Sequence, residues 1–268
     1  MSLIYNATFD KNTRKLSFED KAGNEIYSFT VPERGSAVDD ITKPLTFKAT
    51  QDNSSVKLKK KGSPEGAFQT SRDGGKTWVD YTLNTAITLN IGDEVSFRAK
   101  SSITSNPDVS NHFQFEMTGK IEAWHNVMSL LIHSDFATYD TVGSYWFYDL
   151  FMGCTSLTKA PALPATTLMM YCYYGMFAGC QSLAEAPELP ATALAFYCYN
   201  NMFSACESLK KVRISATKKT PFALDNWLED VSAKGDFYCD PNATIFPTNS
   251  PSGIPEGWAR RNIADYPN

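Results

Sequence analysis

The chain has 268 residues, enough for two domains with real cores, and its composition is globular, 43% hydrophobic and 20% charged. The net charge of −4 argues against a protein that grips a phosphate backbone, so no nucleic-acid partner is expected. No apolar run approaches the ~18 residues of a transmembrane segment, and residues 1–15 lack a basic stretch followed by an apolar core, so no signal peptide is read there.

Residues 1–35 carry three short strands, 3–9, 15–18 and 25–31, joined by turn-rich links at 10–12 and 20–24. A β meander this small is marginal alone, so it is expected to dock on the next domain, on another copy of itself or on a particle. Residues 36–43 are polar and are read as a linker.

Residues 44–118 hold seven short alternating segments: 45–49, 56–59, 67–69, 77–81, 86–89, 94–98 and 113–117. That spacing predicts an immunoglobulin-like or fibronectin-like β-sandwich. Lys57, Lys59, Lys60 and Lys61 are read as the solvent side of one strand and its turn. Ser71, Asp73, Gly75, Thr77 and Trp78 spell S-x-D-x-G-x-T-W, which resembles the Asp box of sialidases and other propellers. The residues themselves predict a hairpin in which Asp73 caps the turn, Gly75 takes a positive φ and Trp78 packs beneath. A propeller needs several four-stranded blades and the pattern occurs once, so no glycosidase is expected.

Residues 119–217 contain a 26-residue repeat. FMGCTSLTKAPALPATTLMMYCYYGM, starting at Phe151, aligns without a gap on FAGCQSLAEAPELPATALAFYCYNNM, starting at Phe177. A third copy starts at Phe203 and departs after FSACESLKKVRI, and a half copy, GSYWFYDL, ends at Leu150. Self-similarity at this period marks a solenoid. The columns keep their chemistry: Trp146, Cys172 and Cys198; Phe151, Phe177 and Phe203; Cys154, Cys180 and Cys206; Leu157, Leu183 and Leu209. Leu168, Cys172 and Met176 stand four apart, which predicts one face of a helix. Thr166 and Thr167 are its N-cap candidates, and the Gly153-Cys154 and Gly179-Cys180 pairs mark left-handed exits. Pro187 and Pro190 exclude a central strand after each helix, whereas residues 209–214, free of proline, alternate as a true strand.

The helix reading MF-x-x-C-x-SL, followed by a short strand, resembles the BspA-type leucine-rich repeats. The APELPATTL and YCY blocks are similar to the variant common in Bacteroides proteins and their phages. The resemblance covers residues 119–217. It implies surface adhesion or ligand binding without catalysis, and it brings no catalytic residues with it.

Residues 218–268 leave the repeat and are read as a C-terminal cap. It comprises a helix over 224–231 with Leu224, Trp227, Leu228 and Val231 on one face, a strand at 235–238, and a loop pinned by Trp258. Five of the six cysteines sit in repeat columns without a C-x-x-C pair, so they are read as buried thiols rather than a zinc or redox site. A Cys172–Cys180 or Cys172–Cys198 disulfide is the alternative, but Trp146 in one cysteine column speaks against a disulfide ladder. His112, His125 and His133 show no metal spacing and are read as surface or boundary residues.

The expected fold is therefore mainly β with an α/β solenoid: meander, immunoglobulin-like sandwich, short leucine-rich-repeat solenoid and cap. No cofactor, metal or catalytic residue is expected. Outward aromatics of the repeat suit protein or glycan ligands on a cell surface, and Tyr148, Tyr173, Tyr174 and Tyr199 are the candidate ligand-binding residues. The expected function is non-enzymatic binding or adhesion, at the cell surface if a signal peptide has been removed. The alternative is a bacteriophage virion component, a fibre or decoration protein, attached or made a homo-oligomer through residues 1–43.

Overall fold

The structure is a computed structural model and describes residues 6–10, 15–19, 22, 25–30, 39–103 and 107–267. The chain forms two compact units, Met1–Val38 with Pro267–Asn268, and Asp39–Tyr266. In the first, β1 (Asn6–Asp10), β2 (Lys15–Glu19) and β3 (Glu25–Thr30) pair antiparallel in the order β1-β2-β3, the expected meander. Residues 3–5 and 31 of the expected strands, and 36–38 of the expected linker, lie outside the described residues. The rest of that linker is not free chain. The Asp39 carboxylate accepts the His125 N–H at 2.9 Å and pairs with Lys159 at 2.9 Å.

The second unit begins with two facing β-sheets. Its strands are β4 (Thr46–Ala49), β5 (Ser54–Lys61), β6 (Phe68–Ser71), β7 (Val79–Tyr81), β8 (Ile87–Leu89), β9 (Glu94–Ala99), β10 (His112–Thr118) and β11 (Ile121–Trp124). All seven expected segments are strands. Alternation decides which side chains enter the core. On β5, Val56 and Leu58 point in, while Lys57 and Lys59 point out and both pair with Glu116 of β10. Phe47, Phe97 and Phe115 meet edge-on between the sheets. The order β8-β5-β10 faces β7-β6-β9-β4-β11. An immunoglobulin domain places its first, second, fourth and fifth strands in one sheet, and this pairing does not follow that partition.

The hairpin between β6 and β7 is built as its residues predict. Asp73 accepts the Lys76 and Thr77 N–H groups at 3.0 and 2.9 Å and the Thr77 hydroxyl at 2.6 Å, and Gly75 has φ 89°. These bonds hold the Asp73 carboxyl well below the usual carboxylate range. Trp78 donates to the Gly75 carbonyl at 2.9 Å and lies under the Arg98 guanidinium.

Strand β11 joins the two architectures. One edge pairs antiparallel with β4, Ile121 opposite Ala49; the other pairs parallel with β13 (Leu157–Lys159), Ile121 opposite Leu157. Sandwich and repeats therefore share a sheet and a core, although the sequence reads as two domains. The remaining strands are short and mainly parallel: β12 (Thr141–Val142) with β14 (Thr167–Leu168), β15 (Ala193–Leu194) with β17 (Lys218–Lys219), and β16 (Lys211–Arg213) with β18 (Gly235–Cys239) and β19 (Trp258–Asn262). They wind a β-solenoid of about five turns. On the proline-bearing side, pairing falls to single bridges such as Glu185 to Lys211 and Leu189 to Ile214.

The expected α/β solenoid is corrected here. No α-helix occurs among the described residues, only short 3₁₀ turns. Where a helix was expected, consecutive tight turns run, and φ is positive at every fourth residue: Tyr145, Asp149 and Gly153, then Tyr171, Gly175 and Gly179, then Tyr197, Asn201 and Ala205. Within each ribbon, N–H groups bond three residues back, as Met152 to Asp149 at 3.0 Å. The alternate N–H groups cross to the next turn of the solenoid, as Phe147 to Cys172, Asp149 to Tyr174 and Phe151 to Met176, at 2.8–2.9 Å. A helix would keep those donors to itself. The apolar spacing of four, without threes, carries the same information, because a helical face drifts by about 40° at each such step.

The expected helix over 224–231 is the same ribbon. Phe222, Asn226 and Asp230 have positive φ, and Tyr199, Asn201, Phe203 and Ala205 donate to Ala223, Asp225, Trp227 and Glu229 at 2.8–3.0 Å. The region read as a cap is thus a further turn of the solenoid, in which Trp258 opens β19 and donates to the Ser232 carbonyl at 2.7 Å.

Ladders of like residues fill the interior. Phe115, Phe151, Phe177 and Phe203 stack at 5.3, 5.4 and 5.5 Å, their planes within 11° of parallel. Phe147, Tyr173 and Tyr199 form a second ladder that ends on Trp227. Cys154, Cys180 and Cys206 donate their thiols to the carbonyls of Phe115, Phe151 and Phe177 at 3.1–3.3 Å. All six cysteines are buried and free, and burial pushes the Cys154 thiol up to about 12.

The Tyr173 hydroxyl is buried without a hydrogen-bond partner among the described residues. An unsatisfied buried hydroxyl costs about 1–3 kcal/mol, and Phe147 already fills the same column one turn earlier. Tyr173→Phe should therefore raise the unfolding free energy by about 1–2 kcal/mol, read from the urea midpoint. A drop in the midpoint would contradict the unsatisfied state of that hydroxyl.

Candidate functional site

The turn ribbons also display aromatics outward. Tyr145, Tyr171, Tyr197 and Phe222 stack at 4.7, 4.7 and 5.1 Å, with planes within 10° of parallel. A second rail, Tyr148 on Tyr174 at 4.9 Å, runs beside it, 5.9 Å from the first in each turn. His112 of β10 lies 5.1 Å from Tyr148 and extends this rail to the sandwich. Asn200 takes the place of a third ring, and the neighbouring Asn201 donates to the Tyr174 hydroxyl at 3.0 Å. Phe196 meets Tyr197 and Phe222 edge-on, and Met169 and Met170 stand exposed just before Tyr171. No charged residue occurs between Ala160 and Ala184 or between Leu189 and Cys206, so this face carries no formal charge over two turns.

The first rail occupies one set of the left-handed positions that recur at every fourth residue of the ribbons. All four of its members have positive φ, from 56° to 61°. A left-handed residue other than glycine costs roughly 1–2 kcal/mol, and glycine or asparagine would relieve it. Such strain persists where the surroundings over-determine it. Here ring stacking and the bonds between turns hold the tyrosines in place.

Of the four candidate residues, Tyr148 and Tyr174 lie half-buried on the outer rail. Tyr173 and Tyr199 are 1% exposed and belong to the core, so they are corrected from ligand-binding to packing residues. The reason is the ribbon: neighbouring positions such as Cys172 and Tyr173 both turn inward, which a helical face would not allow. Tyr145, Tyr171 and Tyr197, half-buried like Tyr148 and Tyr174, form the neighbouring rail, and the exposed Phe222 completes it from a turn whose sequence has left the repeat. The readable signal was the tyrosine recurring one residue before the cysteine, at Tyr171 and Tyr197.

Asp149 lies beneath the rails, 8% exposed, where burial pushes its carboxyl up to about 6 against a weaker downward pull from Lys61. A Cβ added to Gly175 would stand 2.2 Å from its Oδ1, so the glycine leaves room for the carboxylate. Burial also raises the Tyr148 hydroxyl, which stays neutral at physiological pH. His112 is buried against Tyr148, and His133 bonds the Ala99 carbonyl at 2.8 Å. Among the described residues no three His, Cys, Asp or Glu side chains are grouped to hold a metal ion, and no helix is long and apolar enough to cross a membrane.

The fold defines a class: a mainly β repeat protein with a β-solenoid continuous with a two-sheet β layer. No protein-family model, curated protein or solved structure matches the chain.

Proposed function

We propose that the chain is a non-enzymatic surface binding protein that presents the charge-free aromatic face of its solenoid to a ligand. The observation that carries this is the rail of half-buried, face-to-face tyrosines repeated over three turns and closed by the exposed Phe222. The resemblance of the repeat blocks to BspA-type proteins supports an adhesive role. The stacking favours a protein ligand over a glycan. Sugars bind aromatic side chains through free ring faces, and here each inner ring has both faces covered by its neighbours, leaving edges and hydroxyls to solvent. Mixed apolar and hydroxyl surfaces of this kind suit the aromatic-rich centres of protein interfaces.

The test is a binding screen on protein and glycan arrays, with the native chain beside a Tyr171→Ser/Tyr197→Ser variant whose circular dichroism is unchanged. Protein hits that the variant loses support the reading. Hits that survive in the variant, or a set confined to glycans, overturn it.

The second reading, a virion component, rests on the separate compact unit at Met1–Val38, which suits attachment to a particle. In that case the chain without residues 1–38 fails to form the native oligomer in light scattering. Immunogold label would then fall on particles rather than on cell envelopes.

A further inference from the structure

A groove of about 430 Å³ opens on the second unit, lined by Lys210, Lys211, Lys234, Gly235, Asp236, Gly257, Ala259 and Arg261 and by no residue of the aromatic rails. It lies where β16, β18 and β19 begin side by side. Lys210 and Lys211 come from the first strand's start, Lys234 to Asp236 from the second, Gly257 to Arg261 from the third. Its volume falls within the range of small-molecule sites.

The charge there follows from how the turns stack. A column of alternating sign runs along the solenoid, with Lys159, Glu185, Lys211 and Asp236 at corresponding positions. Lys211 pairs with Glu185 at 3.5 Å. Strand pairing sets Ala259 beside Asp236, so the column ends on a methyl group and the groove opens there. Arg261 reaches Asp236 at 2.8 Å through its Nε, and its terminal amino groups make no other hydrogen bond among the described residues. Lys210 and Lys234 have no carboxylate partner among the described residues. Four cations thus line the groove on a chain whose net charge is −4; Lys211 is paired with Glu185 and Arg261 with Asp236, which leaves Lys210 and Lys234 uncompensated among the described residues.

We propose that this groove is a binding site for a small, multiply charged oxyanion, such as a phosphate, a sulfate or a dicarboxylate. Lys210 and Lys234 act as mobile point charges and Arg261 as the oriented donor. Gly235 and Gly257 are required by packing, since a Cβ on either would press on the Lys210 or Ala233 carbonyl, and Ala259 offers the groove only a methyl group. This site is independent of the aromatic face, and the two proposals stand or fall separately.

Calorimetric titration of the full chain with inorganic phosphate, inorganic sulfate and succinate, at constant ionic strength against a sodium chloride control, tests it. Saturable heat with at least one of the three is expected, together with amide shifts at Gly235 and Gly257. Lys210→Gln/Lys234→Gln should weaken binding at least tenfold, and Lys218→Gln, outside the groove, should leave it unchanged. Which probe saturates identifies the oxyanion class. Heats equal to the chloride control, or equal weakening by Lys218→Gln, would overturn the site in favour of diffuse screening.

Discussion

Phe177→Ala should lower the unfolding free energy by about 3–5 kcal/mol, the upper range for removing a buried aromatic ring. Phe177 is fully buried between Phe151 and Phe203, at 5.4 and 5.5 Å, and its carbonyl accepts the Cys206 thiol. The backbone between turns is tied at alternate residues, so the walls cannot close on the void. The position carries more than its own contacts. Stability in a solenoid is a sum of turns and of the interfaces between neighbours, and Phe177 lies at a middle interface. Its loss should also broaden the urea transition, as the turns carrying Trp227 loosen before the sandwich. Phe196→Ala, which removes a half-buried ring of the outer face, is the comparison and should cost about 1 kcal/mol or less. Equal costs for the two would refute the ladder as the solenoid's core.

Asp149→Asn should stabilise the protein by up to about 3 kcal/mol at pH 7.5 and change little at pH 4. Burial raises the folded-state pKa from an ordinary 3.8 to about 6, with Lys61 pulling slightly the other way. Between about pH 4 and 6 the folded state therefore holds a proton that the unfolded chain has released. Native stability falls as pH rises through that window and levels off above it. Asparagine has no proton to lose, and it suits the left-handed backbone at this position, φ 51°, better than aspartate does. The repeat already places Asn201 in this column two turns later. Urea midpoints of both proteins at pH 4 and 7.5 decide the matter, and a pH-independent difference would show that Asp149 stays ionised throughout.

Much of the fold was legible because it is local or periodic. The Asp73 hairpin, the seven sandwich strands and the meander follow from alternation and turn chemistry, which act over a few residues. The 26-residue period announced a solenoid, and its columns named the phenylalanine and cysteine ladders, though not the one through Phe147, Tyr173 and Tyr199. The ribbons were read as helices because Leu168, Cys172 and Met176 satisfy a helical face as well as a four-residue turn. What separates the two is the partner of each alternate N–H, and that partner lies 25 residues away. The same ambiguity sent Tyr173 and Tyr199 to the surface in the reading and to the core in the structure.

The sequence alone determined the composition class, the repeat, the positions of the strands and the stretches without charge, since each depends on residues close in the chain. Only the tertiary structure decided that β11 fuses sandwich and solenoid, that residues 222–230 continue the winding after the repeat has faded, and that Tyr145, Tyr171, Tyr197 and Phe222 share one stacked outer rail. These depend on hydrogen bonds and ring contacts between successive turns. A backbone donor carries no side-chain signature, so stacking can continue where the sequence no longer repeats.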